Sequence, residues 1–134
     1  MPIDPNALMA AAREGLPRAY APYSHLRVAA AVVDEQGRVF TGVNVENLSY
    51  GLAVCAERVA IFSAVAAGAR RITAVAVTSS GTDLLSPCGA CRQVIAEFAA
   101  AQTPVYCDGA EGLRRWSVGE LLPHGFSAPQ LGKT

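Results

Sequence analysis

Neither sign of charge dominates this chain: 11 basic and 11 acidic residues cancel. A protein that tracks a polynucleotide backbone ordinarily carries a basic stripe. Here the pairs Arg70-Arg71 and Arg114-Arg115 are short and read as solvated positions, so no nucleic-acid partner is expected. Long apolar runs are also missing. The most apolar stretch, residues 59–67, falls well short of the ~20 residues that cross a bilayer, so no membrane partner is expected either. Residues 1–6 have neither a basic region nor an apolar one, and no signal peptide is expected. No repeat, linker or low-complexity stretch divides the chain. The expectation is therefore one domain over residues 1–134, soluble and cytoplasmic. Its length supports a core, and 51% hydrophobic content is too high for disorder. In a reducing compartment the four cysteines are free, metal-bound or catalytic rather than paired in disulfides.

Punctuation along the chain predicts the elements. Asp4 followed by Pro5 reads as an N-cap with proline at the first helical position, and Gly15 and Pro17 end that helix. Residues 27–33 and 39–43, rich in Val and Ala, form a hairpin about a turn at 34–37. A helix over 55–68 is expected to bury Val59, Phe62, Val65 and Ala66. A buried strand at 72–78, a helix over 87–101, strands at 104–107 and 114–118, and a short final helix capped by Ser117 complete the order. Strands alternating with helices indicate an α/β class, a three-layer α/β/α sandwich around a mixed sheet of about five strands.

The chemistry concentrates in Cys55-Ala56-Glu57 and Pro87-Cys88-Gly89-Ala90-Cys91. Cys88 and Cys91, three apart at a helix start, can aim both sulfurs at one ion, and Cys55 holds a like position on the other helix. Free N–H groups and the positive end of a helix favour the thiolates that zinc requires. Three protein ligands leave a position open for water, as catalytic zinc sites do and closed structural sites do not. Glu57 supplies a proton carrier: it can accept a proton from the activated water, hand it to a ring nitrogen and assist loss of ammonia. The pattern Cys-x-Glu followed by Pro-Cys-x-x-Cys is the signature of zinc deaminases, in which the glutamate is not a ligand. Three thiolates on one zinc leave a net negative charge, and Arg58 is the counter-charge within reach; its alternative reading is an exposed arginine beside a carboxylate.

At these residues the chain resembles the cytidine deaminase family, in its small, all-cysteine, homotetrameric branch. The resemblance runs from about Leu8 to Phe126. It includes Ala21-Pro22-Tyr23-Ser24, Asn44-Val45-Glu46-Asn47, Cys55-Ala56-Glu57-Arg58, Pro87-Cys88-Gly89-Ala90-Cys91-Arg92-Gln93 and Glu120-Leu121-Leu122-Pro123-His124-Gly125-Phe126. It implies a zinc ion per subunit on Cys55, Cys88 and Cys91, with Glu57 shuttling protons. It implies that Asn44 and Glu46 grip the ribose hydroxyls, that the Ala56 N–H meets the pyrimidine 2-oxo group, and that the Ser86 carbonyl lies near the departing amine. Phe126 would stack on the ring bound by a neighbouring subunit of a homotetramer serving pyrimidine salvage. From the residues alone, Asn44 and Glu46 point the same way if extension continues past the strand. Phe126, isolated after Pro123, would on the same footing be read as pinning the C-terminus to the core.

Leu26 stands where the family often has phenylalanine beside the base pocket, so stacking there would be weak or absent, and Leu48 and Ser49 replace the usual small residues. Two alternatives stay open. One is a deaminase of a cytosine nucleoside analogue such as blasticidin S. The other is a non-catalytic structural zinc module closed by Cys107, whose default reading is a buried thiol in a strand. His25 and His124 are expected to be exposed, and Tyr23 and Trp116 to pack or meet another subunit.

Overall fold

A computed structural model describes residues 3–126. The first helix, α1 (Pro5–Arg13), begins as its sequence predicts, with the Asp4 carboxylate accepting from the Asn6 N–H at 3.3 Å. A 3-10 turn at Leu16–Arg18 follows. Strands β1 (Val28–Asp34) and β2 (Val39–Val43) form the antiparallel hairpin. Its turn is organised by Asp34, which is 1% exposed and accepts from the Gln36 N–H at 3.0 Å, the Arg38 N–H at 2.8 Å and Arg38 Nε at 2.7 Å. Gly37, at φ 80°, occupies the left-handed region that glycine enters without cost from a Cβ. The order continues with α2 (Ala56–Ala66), β3 (Ile72–Ser79), α3 (Gly89–Phe98), β4 (Pro104–Gly109), β5 (Gly112–Ser117) and α4 (Val118–Leu121). Every expected element is present, and α3 stops at Phe98 rather than near Ala101.

The strands form one mixed sheet in the order β2-β1-β3-β4-β5, with β3 and β4 parallel and the other pairs antiparallel. All seven residues of β1 are buried, because both faces of the sheet are covered. Val28, Ala30 and Val32 pack with Ala60, Ile61 and Ala64 of α2 and Ile95 of α3. The alternate residues Ala31 and Val33 pack with Leu8, Met9 and Ala12 of α1. This is the expected three-layer sandwich.

The buried face of α2 differs from expectation. Ala56, Glu57, Ala60, Ile61 and Ala64 face inward, whereas Phe62 is 50% exposed and Ala66 is exposed. The cause lies across the interface, at Gly42 of β2. A Cβ there would lie 2.4 Å from the Ala60 nitrogen and 2.6 Å from the Ala56 carbonyl oxygen. Helix backbone and strand backbone touch at this point, so Ala56 and Ala60 face the strand there and Phe62 turns outward.

Topology then decides where the chemistry collects. Both β2 and β3 run antiparallel to β1, so they point the same way and their outgoing connections leave from one edge of the sheet. Those connections lead into α2 and α3, which lie against each other on one face. Their N-termini therefore meet at that edge.

Candidate active site

Cys55 and Cys88 are the N-cap residues of α2 and α3, and Cys91 sits in the first turn of α3. The sulfur of Cys88 lies 3.9 Å from that of Cys55 and 3.5 Å from that of Cys91, and all three lie within 4.8 Å of one another. Tetrahedral zinc with Zn–S bonds of about 2.3 Å places its sulfurs about 3.8 Å apart. The donor set and its spacing fit zinc. Among the described residues, no fourth His, Cys, Asp or Glu joins the group. Cys107 is fully buried in β4 outside the cluster, its thiol pushed up to about 12 by burial and by the charges of Glu57 and Asp108. The closed four-cysteine site of a structural module is therefore not formed among the described residues.

Arg58 reaches the sulfur cluster. Its Nη2 donates to Cys55 Sγ at 3.6 Å, while its Nε is buried without a partner among the described residues. Hydrogen bonding from the Cys91 thiol, helped by Arg58 and Cys88, draws Cys55 down to about 5 against the opposing effect of burial. Cys91 moves the other way, held protonated by its bond to Cys55, by burial and by the nearby charge of Glu57. Free helix N–H groups alone do not set these values; contacts among the thiols dominate.

Glu57 is 4% exposed, in the first turn of α2 beside the sulfurs. Burial raises its pKa, and the Cys55 charge adds to the rise; its own N–H, the Cys91 thiol and Arg58 oppose it. A carboxyl whose pKa is raised holds a proton more readily than a free one, which suits a proton carrier. Ala56, the first residue of α2, presents an N–H with no acceptor inside the helix.

Asn44 and Glu46 do lie on one side of an extended run, in which the intervening Val45 bridges to Val54 and to Tyr20. Asn44 Oδ1 accepts from the Val28 N–H at 2.9 Å, and its Nδ2 donates to the Leu26 carbonyl at 2.9 Å. Glu46 accepts from the N–H groups of Tyr23 and Ser24 at 3.0 and 3.1 Å and from the Ser24 hydroxyl. The Ser24 side chain and backbone, with the Tyr23 N–H, hold Glu46 below the usual carboxylate range. A cleft of about 340 Å³ lined by Tyr23, Ser24, Glu46, Asn47, Tyr50 and Ala53 opens here. Leu26 is half-buried against the core.

The site residues predicted from sequence do not all converge. Phe126 is 57% exposed, and its carbonyl accepts from Gln93 Nε2 at 3.1 Å. His25 and His124 are exposed, as expected, both at positive φ. Tyr23 meets Tyr50 edge to face at 6.2 Å, and Trp116 lies under Arg114 at 4.9 Å. Ser24 and Arg92 stand in the quoted motifs with no role assigned by the sequence. Ser24 closes on Glu46, 22 residues away, and Arg92 holds the segment before Cys88. The one available signal is the presence of a hydroxyl beside a proline-tyrosine turn and of an arginine directly after a metal ligand.

Residues 3–107 match the model for the cytidine and deoxycytidylate deaminase zinc-binding region. The chain belongs to this family. It is 46% identical over 121 residues to a cytidine deaminase of Halalkalibacterium halodurans, covering 90% of this chain and 89% of that one. A cytidine deaminase of Sporosarcina psychrophila is 42% identical, covering 96% of each chain. Among solved structures, the cytidine deaminase from Burkholderia pseudomallei superposes with a TM-score of 0.87 at 46% identity, covering 92% of this chain and all of that one. The family and the three-cysteine cluster together establish a zinc site in this chain.

Proposed function

We propose that this chain is a zinc-dependent cytidine deaminase of one domain, 1–134, which adds water to cytidine or deoxycytidine and releases ammonia and the corresponding uridine. The observation that carries this reading is a buried carboxyl, Glu57, beside three sulfurs that no fourth His, Cys, Asp or Glu joins among the described residues. Zinc held by Cys55, Cys88 and Cys91 supplies Lewis acidity that makes water nucleophilic near neutral pH. Glu57 does the proton work: it takes a proton from the attacking water, delivers it to N3 of the ring and serves the departing amine. Its raised pKa supports both halves of that cycle. Arg58 offsets the charge of the thiolates.

Substrate contacts follow from what each group has left to offer. A carboxylate has about four lone-pair sites. Tyr23 and Ser24 occupy three of those on Glu46, leaving an ionised acceptor for a ribose hydroxyl. Asn44 keeps one free N–H and one lone pair for the same purpose. The Ala56 N–H meets the 2-oxo group, the Ser86 carbonyl receives the amine, and Leu26 flanks the ring. In this reading the enzyme is a cytoplasmic homotetramer of pyrimidine salvage, and Phe126 closes the site of a neighbouring subunit. The exposure of Phe126 in a single chain supports that role over the pinning one. Among the described residues no helix is long and apolar enough to cross a membrane.

The test is to follow the ultraviolet change when zinc-analysed protein meets cytidine, deoxycytidine or blasticidin S. Turnover of the first two is expected. Glu57→Gln should keep its zinc and lose about 10²–10⁴-fold in rate. Fully zinc-loaded protein inert toward cytidine, or a Glu57→Gln variant of near-normal rate, would reject the reading.

A further inference from the structure

Between β3 and α3 the chain must deliver Cys88 accurately, yet it has little to hold it. Residues 84–88 carry no regular structure. Among the described residues, no backbone–backbone hydrogen bond outside the helices and strands involves residues 83–87. Leu85 packs against the core and Pro87 is fully buried, and the polar restraint comes from one side chain. Arg92 Nε donates to the Pro87 carbonyl at 2.7 Å and its Nη2 to the Ser86 hydroxyl at 3.2 Å. On its other side, Nη1 donates to the Leu121 carbonyl at the end of α4, at 2.9 Å. The adjacent Gln93 holds the Phe126 carbonyl.

We propose that Arg92 is a positioning residue that locks the segment 86–88 to the end of α4, so that Cys88, the Ser86 carbonyl and the segment leading to Phe126 keep one fixed arrangement. The functional half of this inference rests on the proposed deaminase reading; the mechanical half does not. The planar guanidinium suits the task, since its rigid fork spans two carbonyls and a hydroxyl at once, which a lysine ammonium on a flexible stem does not reproduce. The first turn of α3 thus serves two ends. Cys88 and Cys91 face each other for the metal, and Arg92, the next residue along, fixes the loop that presents them. Leaving the Pro87 carbonyl and Ser86 untethered displaces groups at the reacting amine, and small misplacements there are costly to rate.

Three readouts on Arg92→Gln, Arg92→Lys and Ser86→Ala test the lock. Hydrogen exchange, read without substrate, should quicken in Arg92→Gln both at the start of α3, where the Arg92 N–H bonds the Cys88 carbonyl, and at the end of α4, where the Leu122 N–H bonds the Val118 carbonyl, but only at the start of α3 in Ser86→Ala. Zinc should pass faster to a chelator from Arg92→Gln. At full zinc content, kcat/KM for cytidine should fall by about ten- to a hundredfold in Arg92→Gln, with Arg92→Lys recovering only part of the loss. Exchange confined to one segment, or wild-type zinc release with wild-type kcat/KM, overturns the proposal. Should Arg92→Gln not fold, a folded Arg92→Lys matching the wild type in all three readouts overturns it as surely. A wild type inert toward cytidine would defeat the deaminase reading, while exchange and zinc release would still decide the lock.

Discussion

In α4 the N-cap Ser117 accepts from the Glu120 N–H at 3.1 Å, and the Glu120 carboxylate accepts from the Ser117 N–H at 2.8 Å. In α3 the same two positions, N-cap and third helical residue, hold Cys88 and Cys91, whose sulfurs face each other at 3.5 Å. Neither Cys88 nor Cys55 makes a side-chain capping bond, whereas Asp4 and Ser117 do. One pair of helix starts closes on itself with side-chain oxygen and the other opens toward an ion with sulfur. The difference teaches that the helix starts carrying chemistry give up local stability for it. The loss is made good by packing: α2 rests directly on β2 at Gly42, and α3 is tied down by Arg92.

The sharpest way to break this contrast is to put a capping residue where the metal belongs. Serine is among the preferred N-caps, so metal-free Cys88→Ser should match metal-free wild type or exceed it by about 0.5–1 kcal/mol. Zinc content should fall far below one per chain, and turnover by more than about a hundredfold, beyond what outer-shell changes do. Metal analysis and thermal melts with and without chelator separate the two effects. A serine variant that melts lower than wild type when both lack metal would show that Cys88 is structurally tuned, and the contrast would fail.

Glu57 sharpens the same contrast inside α2, where a carboxyl is buried at the edge of an apolar face. Its folded pKa is raised, chiefly by burial. Such a group supports the fold while protonated, below the ordinary carboxylate pKa, and that support is lost as pH rises through the folded value. Metal-free Glu57→Gln should therefore equal wild type in acid and become the more stable protein as pH climbs past that window. Parallel melts across pH check the sign. An advantage for Gln in acid that vanishes at neutral pH would mean that the carboxylate is stabilised in the fold, not strained by it.

How much of this was legible beforehand depends on how far apart the partners lie in sequence. The hairpin turn at Asp34 and both capped helices depend on contacts within a few residues, and residue chemistry alone predicts them. The metal cluster was legible for a different reason: three cysteines and a glutamate at fixed spacing have few other uses, and strand direction brings the two helix starts together. The buried face of α2 was not. Eight of the eleven residues of that helix are apolar, so periodicity carries little signal, and the deciding neighbour, Gly42, lies on another element. Arg92 escaped too, because the Leu121 carbonyl it holds is 29 residues away and a backbone carbonyl has no signature in a sequence. Asn44 shows a mixed case. The family resemblance implies a place for it at the ribose, while the backbone groups that hold both ends of its amide, at Leu26 and Val28, lie 18 and 16 residues away and leave no sign in its own segment.

The smallest effect tests the other half of the comparison. Ser117→Ala removes the acceptor for the Glu120 N–H and leaves the carboxylate of Glu120 with only half of its reciprocal arrangement. Loss of a serine N-cap costs about 1 kcal/mol. Val118 and Leu121 of α4 are buried against the main core, so the cost should register in global unfolding and not as local fraying alone. Zinc content should stay at wild-type level, because nothing at this cap touches the sulfurs. Turnover should hold as well, provided that the Leu121 carbonyl keeps its bond to Arg92. Chemical denaturation beside a zinc assay reads both quantities on the same preparation. If Ser117→Ala were to shed zinc while melting normally, the end of α4 would be coupled to the metal more tightly than the capped and uncapped helix starts imply, and the division between them would have to be redrawn.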